Sequence, residues 1–157
     1  MLTDLAVENL GVIETASLTL ERGCSALTGE TGAGKTLIVT ALNLLAGGRG
    51  DPGSRRAGAS EARVEGRFLL RSNHPAIDVL VRNGIVERSD ENGPDGTEHE
   101  VVVSRSISGS GGKVRINGRL VTVGLLAEFC ETLLDVVGQR EHQRLFSSSF
   151  ASDGLRF

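Results

Sequence analysis

Residues 29–36 read Gly-Glu-Thr-Gly-Ala-Gly-Lys-Thr, a complete G-x-x-x-x-G-K-[ST] spacing. Residues of these types at these intervals can hold a chain of phosphates. Gly29, Gly32 and Gly34 give the backbone the freedom to curl, so that successive N–H groups, those of Glu30, Thr31 and Ala33 included, converge on one anion. Lys35 adds a point charge where β- and γ-phosphates would lie, and the Thr36 hydroxyl is a ligand for Mg²⁺. A helix starting here would aim its partly positive end at the same phosphates.

Such a loop works only between a strand and a helix, and both flanks have the right pattern. Residues 24–28 form a short, largely apolar run suited to a buried strand. After the loop, Leu37, Ile38, Ala41, Leu42, Leu44 and Leu45 recur at helical spacing, and Gly47-Gly48 can end the helix. Upstream, alternating residues around Leu2, Leu5 and Val7 and again over 13–20 predict two antiparallel strands joined at Asn9-Leu10-Gly11.

Downstream, residues 47–60 are rich in Gly, Arg and Ser and read as an irregular surface loop, with Arg49 and Arg55 solvated. A strand is expected over 61–70 and a short helix over 75–81, with Asn73 as its cap. Residues 89–98 read as an acidic loop. Strands follow over 100–107 and 113–116, and Asn117-Gly118 is a two-residue hairpin signal. Lys113 beside Gly111-Gly112 has no helix after it, so it reads as part of an ordinary hairpin. Thr122 caps a helix through Leu125, Leu126, Phe129 and Cys130. Residues 133–137 suit a buried strand, ending at Gly138-Gln139-Arg140-Glu141-His142-Gln143.

The chain's 157 residues suit one domain. Five Phe with no Trp or Tyr imply an aliphatic core and exclude an aromatic base-stacking surface. A net charge of −3 provides no global basic field, so any nucleic-acid contact has to be local or made elsewhere. Cys24 and Cys130 lie far apart, outside metal-ligand spacing, and read as small buried hydrophobes. His74 and His99 read as surface residues. No apolar run approaches membrane-spanning length, and a soluble cytoplasmic protein is expected.

Four elements in order carry a resemblance: Leu5-Ala6-Val7-Glu8-Asn9-Leu10-Gly11-Val12-Ile13, the loop GETGAGKT, the Asn117-Gly118-Arg119 turn and the Gly-Gln-Arg-Glu-His-Gln stretch. Together they resemble the RecN family of bacterial DNA-repair ATPases, in the SMC-like branch of ABC-type ATPases. The loop alone also resembles those of myosins and DEAH-type helicases, which lack the other three elements.

The resemblance implies an α/β fold, the first lobe of a P-loop head, with an antiparallel β layer joined to a mixed sheet. It implies ATP and Mg²⁺ as cofactors. The implied partners are a C-terminal lobe of the same protein, a second head across ATP, and DNA through the full assembly. Residues Gly29 to Thr36 match the family loop throughout, with Lys35 catalytic. Gln139 matches the Gln that contacts Mg²⁺ and positions the attacking water, Gln143 being the alternative. Arg56 matches an arginine that approaches nucleotide or a neighbouring head. Glu141 and His142 are supporting polar groups. Thr40 departs from the family, which places an acidic residue there.

The 157 residues hold no heptads, no signature motif and no apolar run ending in Asp-Glu, so a general base for water is not evident. Phosphoryl transfer needs several parts acting at once. The chain is therefore expected to bind ATP weakly and to hydrolyse it poorly without a second lobe. Other loop-bearing enzymes fit less well. A GTPase would show an N/T-K-x-D motif, but the two lysines, Lys35 and Lys113, are in no such setting. A small kinase would want an arginine lid where this chain reads as strands. A non-catalytic interaction lobe is the third reading.

Overall fold

Alternation at the N-terminus becomes an antiparallel pair, β1 (Leu2–Leu10) and β2 (Ile13–Thr19), in the computed structural model, which describes residues 1–28, 33–87 and 98–134. Four further strands follow: β3 (Glu61–Arg71), β4 (Glu98–Ser108), β5 (Gly111–Ile116) and β6 (Arg119–Val121). Their order across the sheet is β2-β1-β3-β4-β5-β6, and every ladder among the described residues is antiparallel. The expected antiparallel layer is thus present. The Asn117-Gly118 turn has φ of 48° and 78°, the doubly positive geometry that suits strand twist.

Period-two patterning decides which face is covered. On β3, Ala62, Val64, Phe68 and Leu70 are buried while Arg63, Arg67 and Arg71 are exposed. Leu5 and Val7 of β1, Val101 and Val103 of β4, and Val114 and Ile116 of β5 join the same face. Two helices, α1 (Ala33–Leu45) and α3 (Val123–Cys130), lie against it, and α2 (Pro75–Arg82) packs on α3 and adds its buried side chains to the same core. The core they close is aliphatic apart from Phe68 and Phe129, whose rings meet edge to face at 5.8 Å. Gly66 sits in the buried row because α1 passes so close. A Cβ there would lie 2.7 Å from Leu45 Cδ1.

Both ends of the helices follow local chemistry. Thr122 caps α3 as expected, its hydroxyl accepting from the Leu125 N–H at 3.1 Å. For α2 the cap is His74 rather than Asn73: His74 Nδ1 accepts from the Ala76 N–H at 3.2 Å. Pro75 occupies the first helical position, which makes the preceding residue the cap. Accepting at Nδ1 requires a neutral ring nitrogen, and burial, followed by the N-terminal charge, lowers the His74 pKa in the same sense. His99 is also partnered, by the Ser72 hydroxyl at 3.0 Å. The two histidines are therefore structural, not simply surface groups. At the far end of α1, Gly47 (φ 85°) turns the chain left-handed. The Gly47 N–H reaches the Leu44 carbonyl and the Gly48 N–H reaches the Asn43 carbonyl, the paired bonds of a Schellman stop.

One expected strand does not form. Residues 24–28 have no ladder, and Cys24 and Leu27 are exposed rather than buried. An apolar strand of this kind needs neighbours on both sides and cover on both faces. Among the described residues nothing pairs with it. Of the strand expected over 133–137, residues 133–134 follow α3 without strand geometry, and the rest lie outside the described residues.

Candidate phosphate-binding site

The first turn of α1 carries Gly34, Lys35 and Thr36, so the last part of the GETGAGKT motif opens a helix as its chemistry requires. No acidic side chain lies in that turn to compete for the helix's positive end. Thr36 and Gly34 are exposed, Lys35 partly so, and open space surrounds the position a Gly34 Cβ would take. An anion with a hard cation fits this surface. Gly29, Glu30, Thr31 and Gly32, the rest of the loop, lie outside the described residues, as do Gln139, Gln143, Glu141 and His142. Ala33 is described only as the start of α1.

Several tethers fix where α1 points. At its start, Leu37 packs on the β1–β2 turn so closely that a Cβ on Gly11 would come within 2.7 Å of it. Thr40 turns its hydroxyl back to the Thr36 carbonyl at 2.9 Å, making an intrahelical bond where an acidic side chain would project. At its end, Arg105 Nη1 donates to the Leu44 carbonyl at 2.8 Å, and Cys130 Sγ donates to the Leu45 carbonyl at 3.1 Å. Arg105 is 6% exposed. Its charge is set against the negative end of the helix and, among the described residues, not against a carboxylate; burial pulls its pKa below the ordinary arginine value.

Arg56 is not simply solvated. It donates to the Val12 carbonyl at 3.0 Å and pairs with Glu14 at 3.3 Å, and its own N–H bonds the Asn9 carbonyl at 2.8 Å. Arg56 therefore holds the turn against which Leu37 packs, on the side of the fold where α1 begins. Arg55, expected to be solvated, closes its own loop through the carbonyls of Pro52, Ala59 and Ser60. Arg49 is exposed, as expected.

Arg105 and the Cys130 sulfur bond were not singled out from sequence. A signal for Arg105 exists: it breaks the inward apolar row Val101, Val103, Ile107 on β4. A charge at a core position must have a buried partner.

The cysteines give a direct check on this packing. Cys130 is 1% exposed and burial pushes its thiol up to about 12, whereas Cys24 is open. At pH 8 a thiol reagent should label one cysteine quickly and the second only as the chain unfolds, read by mass spectrometry along a urea series. Because the folded thiol keeps its proton above the ordinary value of 9.0, stability should fall as pH rises from about 9 towards 12, the unfolded state binding fewer protons there. Equal labelling of both sites in the native chain would mean the α1–α3 contact is not closed.

Among the described residues no group of three or more His, Cys, Asp or Glu could hold a metal, and no helix is long and apolar enough to cross a membrane. Comparison with known proteins supplies the setting. The sequence profile of a family described as "AAA domain" matches residues 4–153. The DNA repair protein RecN of Bacillus subtilis (strain 168) is 43% identical over 146 residues, covering 92% of this chain and 24% of that protein. RecN of Mycobacterium tuberculosis (strain ATCC 25618 / H37Rv) is 40% identical over 147 residues, again 92% and 24%. The chain spans about a quarter of the length of these curated relatives.

Among solved structures, one described as "Structural biochemistry of ATP-driven dimerization and DNA stimulated activation of SMC ATPases" superposes with a TM-score of 0.64 at 19% identity, covering 94% of this chain and 92% of that one. A structure described as "Structure of the recombination mediator protein RecF-ATPrS in RecFOR pathway" gives 0.58 at 15% identity, covering 80% of this chain and 29% of that one. At these identities the likeness is one of fold: this is the fold of an SMC- and RecF-type head.

Proposed function

Because the chain belongs to the AAA domain family, we propose that it is the ATP-binding lobe of a RecN-like ATPase acting in DNA double-strand-break repair. The observation that carries this reading is the position of Lys35 and Thr36 on the first turn of α1, directly after the Gly29–Gly32 run. The relatives named DNA repair protein RecN support the choice within the larger class.

In this proposal the amides of residues 29–34 and the start of α1 cradle the phosphates of ATP, and Lys35 reaches the β/γ oxygens. The Thr36 hydroxyl would hold Mg²⁺, with Gln139 as second protein ligand and as the group that orients water. Mg²⁺ supplies neutralisation of the charge that develops on the phosphates. Arg56, in the loop before β3 and held to the β1–β2 turn, would approach the nucleotide or a neighbouring head once it leaves Glu14. The signature motif and acidic Walker B segment belong to a second lobe, supplied by the same protein, and two heads close over two nucleotides in the cytoplasm, on DNA.

The test is to mix this chain with the C-terminal lobe of a RecN protein and measure ATP turnover with and without duplex DNA. Turnover should be near background for either part alone and rise on mixing. Turnover by this chain alone at the rate of an intact head would overturn the division of labour.

A further inference from the structure

The chain's negative net charge leaves a nucleic acid only a local place to dock, and the face of the sheet opposite the helices, uncovered among the described residues, offers one. In the ladder register Arg63 of β3 stands opposite Ser106 of β4, which stands opposite Lys113 of β5. One step along, Ser104 stands opposite Arg115. Their neighbours in sequence, Val64, Val103, Arg105, Ile107, Val114 and Ile116, are buried under the helices, while Ser106, 8% exposed, is walled in by the longer side chains of Arg63 and Lys113 on its own face. All five therefore project away from the helices.

Two short hydroxyls at the centre and three long cations around them leave a hollow of about 210 Å³, lined also by Glu61. Glu61 pairs with Arg63 at 3.4 Å. By strand spacing, Arg63 and Lys113 stem from points about 10 Å apart, and Lys113 and Arg115 from points about 7 Å apart.

We propose that this hollow docks the phosphodiester backbone of a nucleic acid. Arg and Lys supply charge-assisted donors and the serines supply neutral ones, the residue types that make most backbone contacts. The lining holds no aromatic, Asn or Gln side chain, so neither stacking nor adenine-edge reading is built in, and the proposal gives Arg63, Lys113 and Arg115 to phosphates rather than to guanine edges. Contact is then independent of base sequence. Glu8, opposite Arg63, and Glu65, opposite Ser104, make the side towards β1 repulsive, so the backbone runs along β5. The inference rests on the repair-protein reading for its choice of polyanion, but its residues lie on the face opposite α1.

Anisotropy of two unrelated 30-bp labelled duplexes, titrated with the whole chain across a salt series, tests it. Binding should be alike for both duplexes. In Arg63→Glu/Lys113→Glu/Arg115→Glu it should weaken at least tenfold at low salt. The slope of log K on log salt should shrink by about 2 to 3, near 0.9 for each phosphate no longer neutralised. Arg22→Glu/Arg49→Glu/Arg82→Glu, with the same change in net charge, should bind within about twofold of the parent. If the first variant misfolds by circular dichroism, Lys113→Gln/Arg115→Gln serves, with a slope change near 2.

Equal loss in both charge-reversed variants, or no duplex binding by the parent, overturns the docking surface. A parallel fluorescent-nucleotide titration separates the two ideas. Nucleotide binding without duplex binding sinks only the docking surface, and the reverse sinks only the assignment of the phosphate loop.

Discussion

Lys35→Ala should weaken ATP binding by roughly 10- to 150-fold while leaving the fold intact. The size follows from the chemistry. A hydrogen bond to a charged group is worth about 1.5–3 kcal/mol net, and the ammonium at this position would face phosphate oxygens carrying full charge. The fold should survive because Lys35 is on the partly exposed first turn of α1, where alanine is at least as good a helix former. The buried core is untouched by the change. A fluorescent-nucleotide titration with Mg²⁺, paired with a thermal melt, checks both halves of the expectation. Thr36→Ala should instead lose most of the Mg²⁺ dependence of binding, since it removes one hydroxyl and no charge. An unchanged ATP affinity in Lys35→Ala would remove the phosphate loop from the account altogether.

What could be read from the residues was what residues decide among near neighbours. The β1–β2 hairpin, the Asn117-Gly118 turn, the Thr122 cap and the Gly47-Gly48 stop each depend on a handful of adjacent positions, and each stands where its chemistry places it. The His74 cap was equally local, since Pro75 marks the first helical position, but Asn73 has the better general propensity for a cap. Residues 24–28 are the opposite case. Their composition says they can be buried, but burial depends on what lies beside them, and no ladder forms among the described residues. Arg105 shows a third limit: its place in an apolar row is visible in the sequence, but its partner, the Leu44 carbonyl, lies 61 residues away. The same holds for Arg56, whose Val12 contact spans 44 residues. At the phosphate site, the loop's type and spacing were legible, while the tethers that aim α1 were not.

Those tethers lead to the second large effect. Gly47→Val should destabilise the chain by about 2–6 kcal/mol, the sum of two separate costs. Its φ of 85° is a conformation that a β-branched residue adopts only with strain of order 1–3 kcal/mol. Its Cβ would also arrive 2.8 Å from Ala127 Cβ and 2.9 Å from Ala127 Cα, an overpacking cost of about 1–3 kcal/mol. A domain of this size holds about 5–15 kcal/mol in total, so the variant should unfold at markedly lower urea. Gly47→Asn separates the two costs, because asparagine tolerates the left-handed backbone but brings the same Cβ to Ala127. If the close approach of α1 and α3 matters, Gly47→Asn should still be destabilised and Cys130 should become open to thiol reagents, as the helices part and its bond to the Leu45 carbonyl breaks. A Gly47→Asn chain with parent stability and a protected Cys130 would leave only the backbone cost. The seam between α1 and α3 would then accommodate a Cβ at position 47 without opening, and the close approach at Ala127 would not be what fixes the end of α1.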